Sequence, residues 1–171
     1  MLARRAPPIP QSVLSLDIGQ RRIGLAGCDP LGITVRPLQP LQRSLFHLDL
    51  ARIGNVCSKR VVHGLVIGLP LDKNGNITCQ AYHCQRYGFR LARALGIPLA
   101  MVNEHGSSLE AAALHGLHGD RSGRLDSAAA VLILEQWLRE GPELELVRSG
   151  KLAKFLEAGD HNNQHRAGYQ L

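Results

Sequence analysis

The stretch from Ser12 to Pro30 reads SVLSLDIGQRRIGLAGCDP, and its reading decides the fold. Val13, Leu14, Leu16 and Ile18 make residues 12–18 an apolar-rich strand. Gly19 and Gln20 supply a turn, and Ile23 to Cys28 reads as a second strand, antiparallel to the first. Asp17 is the anomaly. A carboxylate inside an apolar strand is expensive unless it is paired or bound to a metal.

Working outward, Asp29-Pro30-Leu31-Gly32 is a turn signal, and Ile33 to Leu38 is expected as a third strand. Ser44 is placed to cap a helix that carries Phe46, Leu50, Ile53 and Cys57 on one face. Val61 to Gly68, VVHGLVIG, is the near-continuous apolar run of a strand buried on both faces. Residues 73–76 read as a loop. Residues 78–95 read as a helix that stops at Gly96, with Pro98 just beyond. Pro98 to Val102 is the fifth expected strand.

Further on, Ser107 and Glu110 form a capping box for a helix to about Leu117. HGDRSGR is a polar loop, and Asp126 opens the apolar helix SAAAVLILEQWL, closed by Gly141-Pro142. Leu144 to Val147 is expected as a short strand, and Gly150 to Leu156 as a helix. The order predicts an α/β fold: a mixed five-stranded sheet of three antiparallel strands followed by βαβαβ-type strands, flanked by helices. Spacing alone leaves the strand order open.

The 171 residues suit one domain with a sizeable core, and an apolar share of 44% is globular. No run approaches the roughly 20 apolar residues of a membrane span. The opening MLARRAPPIPQ lacks the apolar core of a secretory signal, so a cytoplasmic, membrane-free location is expected. The net charge of +6 and pI near 9.5 favour a polyanionic partner. Aromatic residues make up only 4%, so recognition by phosphate and shape is expected rather than a stacking platform. Cys28, Cys57, Cys79 and Cys84 match no zinc spacing and read as free thiols. His115 and His118 read as surface residues, and GLVIG is no phosphate loop, lacking GxxxxGK[ST].

Three acids fall at element boundaries: Asp17 in the first strand, Glu104 just after the fifth, and Asp126 in the first turn of the apolar helix. Gathered at one end of a sheet they would repel one another, and a divalent cation with oxygen ligands, Mg²⁺ or Mn²⁺, would resolve the repulsion. Each also has a plainer reading. Asp17 pairs with Arg21 or Arg22, Glu104 is a loop acid, and Asp126 complements the helix dipole. Arg86, Arg90 and Arg93, at i, i+4 and i+7, are either a solvated face or a track for a nucleic-acid backbone.

Asp17-Ile18-Gly19, Arg22-Ile23-Gly24 and Asp29-Pro30-Leu31-Gly32 resemble the opening of the pre-16S rRNA nuclease family, also called Holliday-junction-resolvase-like. The resemblance continues through Gly64 to Leu71, the loop from Lys73 to Asn76, Asn103-Glu104-His105 with Ser107-Ser108, and Asp126-Ser127-Ala128-Ala129-Ala130. It covers about residues 12–140. It departs at Asn103 and His105, where the family commonly has Asp and Arg.

The resemblance implies an RNase H-like fold and a metal-dependent endonuclease that processes the 5′ end of pre-16S rRNA. It implies Asp17, Glu104 and Asp126 as catalytic residues holding one or two Mg²⁺ or Mn²⁺ ions. Arg21, Arg22, Ser107, Ser108, Arg121 and Arg124 are the candidate contacts to substrate phosphates. The alternatives are a resolvase of four-way DNA junctions, which requires a symmetric dimer, and a non-catalytic RNA-binding ribosome-assembly factor. The sequence leaves monomer or homodimer open. The Asp-x-Gly opening also resembles the actin and sugar-kinase ATP fold, whose two lobes need a longer chain. The expected organisation is a flexible basic arm over 1–11, an RNase H-like domain over 12–141, and a partly disordered C-terminal extension over 142–171.

Overall fold

A computed structural model of the chain describes residues 11–104 and 124–148, with the backbone alone at 104 and 124–126. The strands are β1 (Ser12–Ile18), β2 (Arg22–Cys28), β3 (Val35–Gln42), β4 (Val62–Pro70) and β5 (Leu99–Glu104). The helices are α1 (Phe46–Arg60), α2 (Cys79–Leu95) and α3 (Arg124–Glu140). One sheet orders them β3-β2-β1-β4-β5, so β1 is central. The first three strands are antiparallel neighbours, and β4 and β5 run parallel to β1. The expected mixed sheet is therefore present.

Alternation along β1 sorts its side chains to two faces. Leu14, Leu16 and Ile18 join Ile23, Leu25, Leu65 and Ile67 in a large aliphatic core beneath α1 and α2. Val13, Ala26, Val66, Ala100 and Val102 pack on the other face with Ala130, Ile133 and Leu134 of α3. Ser15 lies on the α3 face, and its hydroxyl donates to the Ala130 carbonyl at 2.6 Å.

The ends of α2 follow their signals. Thr78 caps α2, its Oγ1 accepting from the Ala81 N–H at 2.9 Å while the hydroxyl donates to the Pro70 carbonyl. Gly96 ends α2 with φ 66°. A glycine also helps set the spacing of the layers. A Cβ at Gly88 would collide with Ile67 Cδ1, so α2 packs closely on β4 where position 88 has none.

Four expectations need correction. β3 starts at Val35, not Ile33, because the Asp29 carboxylate accepts from the N–H groups of Leu31, Ile33 and Thr34 and holds the turn through Thr34. It then runs on to Gln42 despite Pro37 and Pro40, which an edge strand tolerates. Ser44 does not cap α1. Leu45 occupies that position, and the Ser44 N–H instead donates to Asp49 at 3.1 Å. Val61 is no strand residue but the α1 C-cap at φ 51°, so β4 begins at Val62. The segment from Leu144 to Val147 forms no strand. It makes a single bridge, Glu145 with Leu99, through two backbone hydrogen bonds. The predicted helices at 107–117 and 150–156 lie outside the described residues.

Candidate nuclease site at the end of the central strand

Asp17 occupies the α3 face of β1, two residues beyond Ser15, and is half-buried. Register defines its surroundings. Its partner on β2 is Gly24. On β4 the Leu16–Ile67 pair is the last in register, and the next residue along is Gly68. Both neighbours thus lack side chains, so Asp17 is flanked on both strands by glycine. Glycine in a strand interior weakens the strand, and it marks places where another group approaches the backbone closely. This glycine cradle was missed by a reading centred on the acids. Its signal was present in the sequence, since Gly24 and Gly68 interrupt otherwise apolar strands.

The same register carries the face across to β5. Gly68 pairs with Val102, and position 104 lies two residues further along the same strand, on the same face of the sheet. The first turn of α3 lies at this end too. The Ser127 hydroxyl donates to the Leu38 carbonyl at 2.8 Å, and Leu38 is level with Leu25 and Leu16. At the opposite end of the sheet, Leu138 of α3 meets Gly32 in the β2–β3 turn. The helix therefore runs with its N-terminus toward Asp17, and residue 126 is in its first turn. Backbone placement puts positions 17, 104 and 126 at one end of one sheet face.

Of the remaining predicted residues, Arg22 opens β2 two positions beyond Gly24, on the Asp17 face, and is half-buried. Arg21 is exposed in the turn, and its carbonyl accepts from the Arg43 N–H at 2.9 Å. The turn is tied down from the other side of the sheet. Arg43 Nη1 donates to the Gly19 carbonyl at 2.8 Å, and Gln80 Nε2 and Cys84 Sγ donate to the Ile18 carbonyl. Arg124 opens α3. Ser107, Ser108 and Arg121 lie outside the described residues.

The four cysteines are free, with Cys79 exposed and the others buried. Burial raises the Cys28 thiol, and it pushes Cys57 up to about 11. Neither is a thiolate near neutral pH, so neither offers a nucleophile or a soft metal ligand. No helix among the described residues is long and apolar enough to cross a membrane.

A sheet ordered 3-2-1-4-5, with a carboxylate on its central strand and a helix N-terminus facing it, defines the RNase H-like class of α/β proteins. Within that class the chain belongs to the RuvX family, described as Holliday junction resolvase, whose family model matches residues 11–140. Curated relatives bear the name "Putative pre-16S rRNA nuclease", two of them as follows. The Prochlorococcus marinus (strain MIT 9313) protein is 66% identical over 140 residues, 82% of this chain and 87% of that one. The Parasynechococcus marenigrum (strain WH8102) protein is 59% identical over 155 residues, 89% and 99% of the two chains. Among solved structures, T. thermophilus RuvC in complex with a Holliday junction substrate matches with a TM-score of 0.49 and 16% identity, covering 75% of this chain and 95% of that one.

Proposed function

We propose that this protein is a metal-dependent endonuclease that cleaves the precursor of 16S rRNA at its 5′ end during ribosome biogenesis. The observation that carries the reading is Asp17, half-buried between Gly24 and Gly68 on the face where positions 104 and 126 also lie. The names of the relatives supply the substrate.

The donor set suits a hard cation. Asp17, Glu104 and Asp126 are oxygen ligands of the kind that hold Mg²⁺ or Mn²⁺, and the positions beside Asp17 on both neighbouring strands are glycines. When bound, one or two such ions supply Lewis-acid stabilisation of the charge that develops on the scissile phosphate. The chain's own residues do the rest. Arg22 lies on the same face, to bind a non-bridging phosphate oxygen. Arg21 stands in the turn beside it, for the next phosphate along the strand. Ser107 and Ser108 orient the substrate through their hydroxyls, and Arg121 and Arg124 hold its backbone.

The description of the family favours a second reading, resolution of four-way DNA junctions by a homodimer. One assay separates them. The purified protein is incubated with a 5′ precursor rRNA fragment and, in parallel, with a four-way DNA junction, each with Mg²⁺, Mn²⁺ or EDTA. The expected result is a discrete RNA cut with either metal and none with EDTA. Cleavage of the junction alone moves the function to a resolvase. RNA bound but never cut makes the protein an assembly factor.

A further inference from the structure

On the opposite side of the sheet from Asp17, α2 and the loop before α1 carry arginines that rest on aromatic rings. Arg90 is exposed, yet its guanidinium carbon sits 3.9 Å from the centroid of the Phe46 ring. Arg43 lies 5.0 Å from the Tyr87 ring, and Arg86 lies 5.8 Å from Tyr82. Phe46 and Tyr87 meet edge to face, with centroids 5.5 Å apart and an interplanar angle of 83°. The Tyr87 hydroxyl is fixed in turn by donating to the buried Asp49 carboxylate at 3.1 Å. An aromatic shelf thus holds Arg43 and Arg90 in place before any ligand arrives.

The cluster is positive and its internal groups do not cancel it. His83 is 3.1 Å from Arg43 Nη2. Burial, reinforced by Arg43 and Arg86, lowers its pKa and keeps the imidazole neutral, so its Nε2 accepts from the guanidinium. Asp49, the acid packed into the cluster, is wholly buried, and its oxygens accept from the Ser44 N–H and the Tyr87 hydroxyl. The rise of an α-helix spreads Arg86, Arg90 and Arg93 over roughly 10 Å, the axial span of about three phosphates on one strand. The cluster is also tied to the candidate site. Arg43 donates to the Gly19 carbonyl, two residues from Asp17, at the end of the sheet where the acids lie.

We infer that Arg43, Arg86, Arg90 and Arg93 form an exosite for the phosphodiester backbone of the RNA strand that flanks the cut. The inference rests on the nuclease reading for its occupant. The exosite supplies affinity and register; it takes no part in the chemistry. The Asp49–Tyr87–Phe46 shelf is its scaffold, because guanidinium groups already ordered lose less freedom when they meet phosphate.

The test measures binding apart from cleavage. Arg86→Ala with Arg90→Ala is made in an Asp17→Asn background, and the Kd for a precursor-rRNA hairpin is measured from 50 to 200 mM KCl. Because Arg90 also packs on Phe46, the pair Arg86→Ala with Arg93→Ala is measured alongside, with a thermal melt of each. The expected result is a five- to tenfold rise in Kd for each pair, with the slope of log K against log[salt] shallower by about 1 to 2. In the Asp17 background KM rises by the same factor while kcat falls less than twofold. Unchanged Kd and slope in both pairs overturn the exosite. Arginine-dependent binding of a DNA duplex, with none of RNA, overturns RNA as its occupant. If wild-type protein cuts no RNA with any metal, the nuclease reading fails, while the binding comparison still decides the exosite.

Discussion

The two faces of the sheet are built from different chemistry, although both are covered by helices. Under α1 and α2 the side chains are large: Leu14, Leu16, Ile18, Ile23, Leu25, Leu65 and Ile67. Under α3 they are smaller and more mixed. Val13, Ala26, Val66, Ala100 and Val102 meet Ala130, Ile133 and Leu134 of α3, and Ser15, Asp17 and Gly24 share that face. The first face generates stability, since transfer free energy scales with the apolar area buried. The second face carries Asp17, flanked by Gly24 and Gly68, at one end. One seven-residue strand serves both because its side chains alternate.

The sharpest break of this comparison is Asp17→Asn. It keeps the shape and removes the charge. Cleavage should fall by ~10³-fold or more, beyond the roughly 10²-fold typical for losing a group one shell further out. The melting temperature should move by less than ~3 °C, because Asn is isosteric with Asp. An Asp17→Asn protein that cleaves at the wild-type rate would remove the site from this face altogether.

The neighbouring positions test the division of labour in the other direction. Leu16→Ala, on the wholly buried aliphatic face, should cost about 3 kcal/mol and lower Tm by roughly 10 °C. Ser15→Ala, one residue away on the α3 face, loses the hydroxyl's hydrogen bonds to the Ala130 and Ala26 carbonyls and should cost about 1 kcal/mol. Equal losses measured by thermal denaturation would mean that the α3 face carries as much of the stability as the other.

The aliphatic face should also impose an alkaline limit. Its Cys57 thiol is buried, with its pKa raised to about 11 from 9.0. Burial, and secondarily Asp49, raises the Tyr87 phenol too. A raised folded-state pKa means that the unfolded chain loses its proton first. The stability is therefore complete below pH 9 and is lost as pH rises through the range from 9 to 11, by about 2 kcal/mol for Cys57. Urea midpoints between pH 8 and 11 should fall for the wild type and fall less for Cys57→Ala. Parallel profiles would show that the thiol is not the source.

The strength of local signals decided which parts of this architecture were legible beforehand. Asp17 was visible because a carboxylate in an apolar strand violates its own period. The α2 boundaries were visible because Thr78 and Gly96 act through hydrogen bonds within a few residues. The β3 boundaries were not. Asp29 accepts from three backbone N–H groups and delays the strand, and β2 then recruits Leu41 and Gln42, which carry no period of their own. The buried Asp49 was also hidden, because its partners are the N–H of Ser44 and, from another helix, the Tyr87 hydroxyl.

The sequence alone determined the class of the fold, the order of its elements and the acids worth suspecting, since periodicity, caps and turn chemistry act over a few residues. Tertiary structure alone decided that β1 lies at the centre with glycines on both sides of Asp17. It also decided that positions 17 and 104 share a face, and that arginines from a loop and a helix meet on one aromatic shelf. Those facts depend on strand order and register, which are set by the packing of residues far apart in the chain.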